Sequence, residues 1–334
     1  MKKPNVAILG VTGAVGQEFM QLLEERNFPV AELTLLASAR SVGKKIKFRG
    51  KEIAIREATP DSFKGIDIVL SSAGGSVSKQ LVPHAVKAGA VVVDNTSAFR
   101  MVPDVPLVIP EINPEDIRKH KGIIANPNCS TIIALVPIFP IHRAAKIRRL
   151  VAATYQAASG AGAKAMAELE KQAMEILEKK KPTLSVFPHQ IAFNLFSHNS
   201  AIDATGYCEE EIKMVRETKK IFHDDQIKVV ATCVRVPVFR AHSEALYLEL
   251  EKKLEVEEIR KLLSKAQGVR LIDDRQKNYF PMPIDASGKD DVLVGRIRED
   301  DTVSNGVALF VSGDQIRKGA ALNAIQIAEI LLKS

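Results

Sequence analysis

The sequence predicts an α/β protein: a first domain built on a mostly parallel sheet, then an α+β domain with a mixed, largely antiparallel sheet. Three observations carry this. Up to about residue 128, short apolar runs alternate with helix-like stretches, the pattern of βαβ units. The first apolar run passes through a glycine-punctuated turn into a helix. Beyond residue 129, longer stretches appear in which apolar and polar residues trade places, as in a sheet with one face on a core and the other on water or a partner.

In chain order, Val6-Ala7-Ile8-Leu9 reads as a buried strand and residues 17–26 as a helix. Strands follow at 33–36, 66–70 and 90–93, with a helix near 78–88; apolar runs at 107–109 and 123–125 complete the first sheet. In the second domain, strands are predicted over 150–156, 229–236 and 245–250, and amphipathic helices over 163–180 and 256–266. A buried strand at 307–311 precedes a last helix over 316–332, which packs back on the first domain. The expected domains are therefore 1–128, completed by 315–334, and 129–314. There is no internal repeat and no low-complexity segment.

Composition narrows the function. With 46% hydrophobic and 26% charged residues over 334 positions, two compact units with real cores are expected. No apolar run approaches the roughly 18 residues of a membrane span. The start, Met1-Lys2-Lys3-Pro4, leads into a run too short for a secretory signal, so a cytoplasmic protein is expected. Three cysteines without a C-x-x-C pair argue against a disulfide framework and a cysteine zinc site, and seven scattered histidines offer no H-E-x-x-H; no metal is expected. The net charge of +7 would suit nucleic acid, but the basic runs lack interleaved aromatics and Trp is absent. Anionic small molecules fit that charge as well.

The first candidate site is Leu9-Gly10-Val11-Thr12-Gly13-Ala14-Val15-Gly16. Glycines between strand and helix let the backbone turn tightly and approach a pyrophosphate held at the helix N-terminus. The spacing is G-x-x-G-x-x-G, and the strand–turn–helix context makes it a Rossmann-type dinucleotide loop. An NAD-type domain usually carries an acid about 20 residues on. This chain has Ala37-Ser38-Ala39-Arg40-Ser41 there, a cationic, hydroxyl-bearing loop suited to a 2′-phosphate, which points to NADP.

The second candidate site is Asn126-Pro127-Asn128-Cys129-Ser130-Thr131, between a buried strand and an apolar run. A cysteine opening a helix meets N–H groups that lower a thiol pKa and can hold a developing oxyanion. Cys208 and Cys233 read as inert core residues. A thiol nucleophile needs an acid–base partner. Any of the seven histidines could serve; His242, starting a strand after a turn, is the first candidate.

Together with Asn95-Thr96-Ser97-Ala98-Phe99-Arg100, Tyr155-Gln156-Ala157-Ala158-Ser159-Gly160, Glu210 to Lys213, Arg235 to His242 and Arg317-Lys318-Gly319-Ala320-Ala321-Leu322, these motifs resemble the aspartate-semialdehyde dehydrogenases over nearly the whole chain. The resemblance implies NADPH-dependent reduction of β-aspartyl phosphate to aspartate semialdehyde in a homodimer whose second domain is catalytic and dimerising. It implies Cys129 as acyl-thioester nucleophile, His242 as general acid/base, Gln156 as orienting residue and Asn128 as a contact for the acyl oxygen. Arg235 would take the substrate carboxylate in its bidentate fork, Glu210 the amino group, and Arg100 and Lys213 the phosphate. Thr12 to Val15 (with Gly13 and Ala14), Arg40, Ser41, Ser159 and Gly160 match the cofactor pattern. Gln315 stands where many relatives carry Asn. The alternatives are an N-acetyl-glutamyl-phosphate reductase-like enzyme, whose thiol turn typically carries Gly and Tyr, and a non-catalytic NADP-binding protein.

Overall fold

The computed structural model describes residues 3–333. Met1 and Lys2 of the expected N-terminus, and Ser334 of the 315–334 segment expected to complete the first domain, lie outside the described residues. The chain divides into two compact units, one running to Asn128 and resuming at Ala320, the other spanning Cys129–Gly319.

The first unit contains β1 (Val6–Leu9), α1 (Ala14–Glu25), β2 (Leu33–Ala37), β3 (Lys45–Phe48), β4 (Lys51–Glu57), β5 (Ile68–Ser71), α2 (Gly75–Lys87), β6 (Val91–Asp94) and β7 (Ile123–Ala125). Its sheet runs β3-β4-β2-β1-β5-β6-β7 and is parallel except at β3–β4. Along β1, Val6 and Ile8 enter one apolar cluster and Ala7 and Leu9 the other, so both faces are covered and the strand reads as an unbroken apolar run. Phe19, Leu22 and Leu23 of α1 fill the first cluster, fully buried; each contributes about 1.5–3 kcal/mol by leaving water.

One expectation fails here, and one element was not foreseen. Residues 107–109 form no strand: Leu107 makes one isolated parallel bridge to Ala125, because Pro106 and Pro110 remove the flanking N–H donors. The basic run at 44–47 instead starts an antiparallel hairpin, turning at Arg49 and Gly50 with φ of 47° and 80°. Its exposed lysines mark the edge strand, where charge deters pairing with another chain.

The second unit contains α3 (Cys129–Ala145), β8 (Ile147–Gln156), α4 (Ala163–Leu177), β9 (Phe196–Ser197), α5 (Glu209–Phe222), β10 (Lys228–Arg235), β11 (His242–Leu250), α6 (Val256–Leu263), β12 (Val269–Leu271), α7 (Pro283–Ala286), β13 (Val292–Asp300) and β14 (Gly306–Gly313). The sheet order is β12-β13-β14-β11-β8-β10-β9. It is mixed: β8–β10 and β12–β13 are parallel, the other ladders antiparallel. On β11, His242, Glu244, Leu246 and Leu248 point inward, while Tyr247 is 37% exposed on the opposite face, as is Tyr155 at 39%. That outer face is aromatic, with Tyr155 and Phe310 ring centroids 6.2 Å apart.

The last helix begins later than its apolar pattern suggests. A π-helical turn over Arg317–Ala321 comes first, and α8 (Leu322–Leu331) then joins the first unit, where Glu329 pairs with Arg26 at 2.7 Å.

Candidate active site

In the first unit, the turn after β1 shows what its glycines are for. Gly10 has φ of +91°, and a Cβ there would lie 2.7 Å from the Ser72 carbonyl oxygen. A Cβ on Gly16 would lie 2.3 Å from the Gly10 carbonyl oxygen. Gly13, by contrast, is open: nothing but the Gly10 oxygen comes within 4 Å of its Cβ position. Gly13 caps α1 without a side-chain hydrogen bond, and the first turn, which includes Ala14 and Val15, carries no acid. The helix thus presents bare N–H groups and its positive dipole end. Beside it lies a cavity of about 590 Å³ lined by Gly10, Thr12, Gly13, Ser38, Arg40 and Thr59 among others. Arg40 and Ser41 share a single 3₁₀ turn after β2. These residues fit an NADP: an open backbone cradle for the pyrophosphate and a guanidinium for the 2′-phosphate. Glu57 also lines this cavity. The acid expected after β2 in an NAD-type domain is absent there, yet one arrives from neighbouring β4, where it pairs with Ala37.

In the second unit, strand register builds the site. Gln156 ends β8 and Arg235 ends the parallel β10 directly beside it. Antiparallel β11 starts at the same end with His242. Cys129, partly exposed, opens α3, a helix apolar on nearly every side and therefore buried from Ser130 through Ile138. Its Sγ lies 3.6 Å from His242 Nε2. Ala157 N–H donates to His242 Nδ1 at 3.0 Å. The Nδ1 lone pair is thereby used, so the proton of the neutral ring sits on Nε2, facing the sulfur. Burial, and then the Arg235 charge, push the His242 pKa down to about 3. The ring is held neutral, as a donor.

Gln156 Nε2 donates to Ser130 Oγ at 2.8 Å and approaches Glu210 Oε1 at 3.5 Å. Glu210 is buried in the first turn of α5, and Lys213 lies 3.4 Å from it and 3.1 Å from Glu209. Arg235 is 5% exposed. It donates through Nη2 to His198 Nε2 at 2.8 Å and makes longer contacts, at 3.4 Å, to Asn199 Oδ1 and the Ala157 carbonyl. Burial and Arg235 hold the His198 pKa at about 4. An N–H at His198 Nε2 would face a guanidinium N–H and forfeit a bond of about 1.5–3 kcal/mol, against about 1 kcal/mol for an ordinary one at Nδ1. At Nδ1 the ring meets Ser200 twice, its Oγ at 3.0 Å and its backbone N–H at 3.2 Å; the shorter contact to the charged Arg235 claims the single ring lone pair, so Nε2 accepts and Nδ1–H faces Ser200 Oγ.

Ser159, Gly160 and Gln315 sit beside the histidine. A Cβ on Gly160 would lie 2.9 Å from Arg235 Nη1 and 3.2 Å from His242 Nε2. Gln315 donates to Ser159 Oγ and accepts from Ala241 N–H at 2.8 Å, holding Ala241 at φ of +73° immediately before His242. Gly319, in the π turn, abuts the thiol residue, its Cβ position 3.0 Å from that of Cys129.

The second unit thus gathers Cys129, His242, Gln156, Glu210, Arg235, Ser159, Gly160 and Gln315. Arg100 and Asn128 belong to the first unit. Arg100 donates to the carbonyls of Asn126 and Asn95 at 2.9 and 3.1 Å, and Asn128 is buried one residue before the thiol. Cys208 and Cys233 are buried; burial raises the Cys233 thiol pKa, and Cys208 caps α5. Sequence reasoning missed His198 and Glu244, and gave Ser130 no role although it lies in the thiol motif. Glu244, fully buried, is pushed well above the usual carboxylate pKa by burial and by Glu210, and neither of its oxygens has a hydrogen-bond partner. Its place on the inward face, two residues after His242, was the available signal. Among the described residues no group of acidic, Cys and His side chains could hold a metal, and no helix is long and apolar enough to cross a membrane.

Residues 5–120 match the family model for the semialdehyde dehydrogenase NAD binding domain, and residues 138–318 that for the semialdehyde dehydrogenase dimerisation domain. An aspartate-semialdehyde dehydrogenase of Synechocystis sp. is 60% identical over 98% of this chain and 97% of its own. Its counterpart in Aquifex aeolicus is 55% identical over 98% of both. The structure of aspartate semialdehyde dehydrogenase II from Vibrio cholerae, complexed with ASA, superposes with a TM-score of 0.97 at 45% identity, over 100% of this chain and 99% of that one. The Candida albicans enzyme with NADP superposes at 0.76 with 28% identity, over 99% of both chains. Thiol, histidine and glycine loop thus fall within full-length similarity to one group of enzymes, and the chain belongs to the aspartate-semialdehyde dehydrogenase family.

Proposed function

We propose that the chain reduces β-aspartyl phosphate to aspartate semialdehyde, with Cys129 as the covalent nucleophile, in amino-acid biosynthesis from aspartate. The observation that carries this is the 3.6 Å approach of Cys129 Sγ to His242 Nε2 at the N-terminus of α3. The helix terminus and the Nε2–H both favour the thiolate. Its sulfur attacks the acyl carbon, the C–S bond forms and phosphate leaves with the electrons of the C–O bond. When bound, NADPH would supply the hydride that turns the thioester into a thiohemiacetal alkoxide. That alkoxide then re-forms its C=O, expelling the sulfur as thiolate onto the His242 N–H. Covalent catalysis divides one hard substitution into two easier ones.

Around that chemistry, Arg235 takes the substrate carboxylate, Glu210 the amino group, and Gln156, held by Ser130, orients the acyl group; Asn128 is assigned to the acyl oxygen. Arg100 and Lys213 are assigned to the phosphate. Thr12, Gly13, Arg40 and Ser41 are assigned to NADP, with Ser159, Gly160 and Gln315 on its nicotinamide side. The dimerisation-domain match and the exposed aromatic sheet face support a homodimer; a monomer in sedimentation at micromolar concentration would refute it. The test of the activity is NADP reduction by aspartate semialdehyde plus phosphate. Cys129→Ala is expected to lower it on the order of 10⁴-fold or more, while leaving NADP affinity intact. Turnover surviving in that variant would end the assignment.

A further inference from the structure

We propose that His198 is a positioning residue, a neutral acceptor that aims the Arg235 guanidinium at the substrate carboxylate without drawing on its charge. The inference rests on the reading of Arg235 as the carboxylate clamp. It starts from the donors. Arginine has five N–H groups; the Nε proton and one proton on each terminal nitrogen go to Asn199, the Ala157 carbonyl and His198. One proton on each terminal nitrogen remains, the number a bidentate carboxylate contact requires. Among the three internal bonds only that to His198 is short, 2.8 Å against 3.4 Å for the other two. It therefore sets the plane of the fork.

His198 is itself fixed from both sides. Its backbone N–H donates to the Cys233 carbonyl at 2.8 Å, extending the β9–β10 ladder, and its Nδ1–H donates to Ser200 Oγ. That same oxygen accepts from Glu210 N–H at 3.2 Å, at the start of α5. The 198–200 segment so links the carboxylate clamp to the residue assigned to the substrate amino group. Phe187, 5.7 Å from the guanidinium carbon, closes the remaining face of Arg235. An anionic side chain at position 198 would bind Arg235 more strongly, yet would compete with the substrate for the same charge. A neutral imidazole orients the guanidinium and leaves its charge for the ligand. Burial keeps the ring neutral, with a pKa near 4.

The test compares His198→Ala, His198→Gln and His198→Glu with the wild-type enzyme in the phosphate-dependent oxidation of aspartate semialdehyde. With Ala, KM for the semialdehyde should rise about 10-fold, the scale of one lost hydrogen bond to a charged group, with kcat and the KM values for phosphate and NADP little changed. Gln, whose amide oxygen can accept from Arg235, should restore KM to within about 3-fold. Glu should be worse than Ala although it pairs with the arginine. An Ala variant equal to wild type, a Gln variant as poor as Ala, or a Glu variant as good as Gln would each overturn the proposal. The rate of Cys129 alkylation, expected to be unchanged, reports that the site is folded. 3-Aminopropanal, which lacks the α-carboxylate, separates the two readings. If the wild-type enzyme uses it as well as the semialdehyde, the carboxylate assignment of Arg235 falls and this proposal with it. If the wild type discriminates but the Ala variant loses equally on both aldehydes, only the role of His198 falls.

Discussion

The two units build their sites by opposite means. At the glycine loop of the first unit, side chains matter by being absent: Gly10 and Gly16 pack against backbone, and Gly13 leaves the N–H groups of α1 uncovered. In the second unit almost every functional side chain is held by another group: Cys129 by His242, His242 by the Ala157 amide, Gln156 by Ser130, and Arg235 by His198. A backbone site fails when something obstructs it. A side-chain site fails when it loses orientation or protonation. Substitutions and pH should therefore separate the two units.

Among the changes that separate the two units, the largest expected effect is at Gly16. A methyl group there would meet the Gly10 carbonyl oxygen at 2.3 Å and the Val11 Cα at 2.7 Å, all of it backbone that cannot swing aside. Gly16→Ala should lower stability by about 3 kcal/mol, the upper range for overpacking. It should also weaken NADPH binding more than 100-fold, on the order of the roughly 3 kcal/mol of obstruction it introduces. Calorimetry and NADPH fluorescence titration read both. Unchanged affinity would show that the loop is not the cradle.

What was legible in the sequence follows the same division. The glycine loop and the buried parallel strands announce themselves locally, since Gly spacing and apolar runs are properties of adjacent residues. Cys129 was legible because a polar Asn-Pro-Asn turn is a poor place for an inert thiol. His242 was one of seven candidates until the antiparallel register of β11 on β8 set its ring beside Ala157. The pairing of Arg235 with His198 was not legible. It depends on β9, a two-residue strand with no periodicity, lying antiparallel on β10. The hairpin at 45–57 was hidden because half of its edge strand β3 is lysine, and Glu57 came to the cofactor cavity from its equally unread partner β4.

Acidity should sharpen the contrast, because the strongly displaced titrations on this site belong to the second unit. In the unfolded chain His198 and His242 take up protons below about pH 6.5; in the fold they stay neutral down to about 4 and about 3. Their contribution to stability is lost as pH falls through that window. Glu244 acts oppositely: its folded pKa is raised, so the fold holds a proton that the unfolded chain releases above about 4.5, and stability is lost as pH rises. Up to about pH 6.5 the two histidines make the stability of the second unit rise with pH, and the Glu244 carboxyl opposes them for as long as the fold keeps it protonated. His142, in the second unit, and His120, in the first, are shifted down by burial and add to the acid limb. In calorimetry with two transitions resolved, the one assigned to the second unit should show a maximum near neutrality. Glu244→Gln should flatten its alkaline limb. A pH-independent transition would contradict the buried neutral states of all three groups.

The smallest effect separates the two units at a single atom type. Gly160, like Gly16, has no room for a Cβ, but its neighbours are the ends of side chains: Arg235 Nη1 at 2.9 Å and the His242 ring at 3.1 and 3.2 Å. Such groups can give way by a few tenths of an ångström without moving the sheet. Gly160→Ala should therefore leave the thermal midpoint of the second unit within about 2 °C, which for a unit the size of Cys129–Gly319 is below about 1 kcal/mol. What it should cost is alignment: a displaced guanidinium and imidazole, read as a drop in kcat/KM for aspartate semialdehyde of about 10-fold, or about 1.4 kcal/mol of transition-state stabilisation. The same methyl group would then destabilise one unit at position 16 and only misalign the other at position 160. A Gly160→Ala enzyme that is fully active, or one destabilised as Gly16→Ala is, would show that the second site is not held by its side chains in the way their contacts indicate.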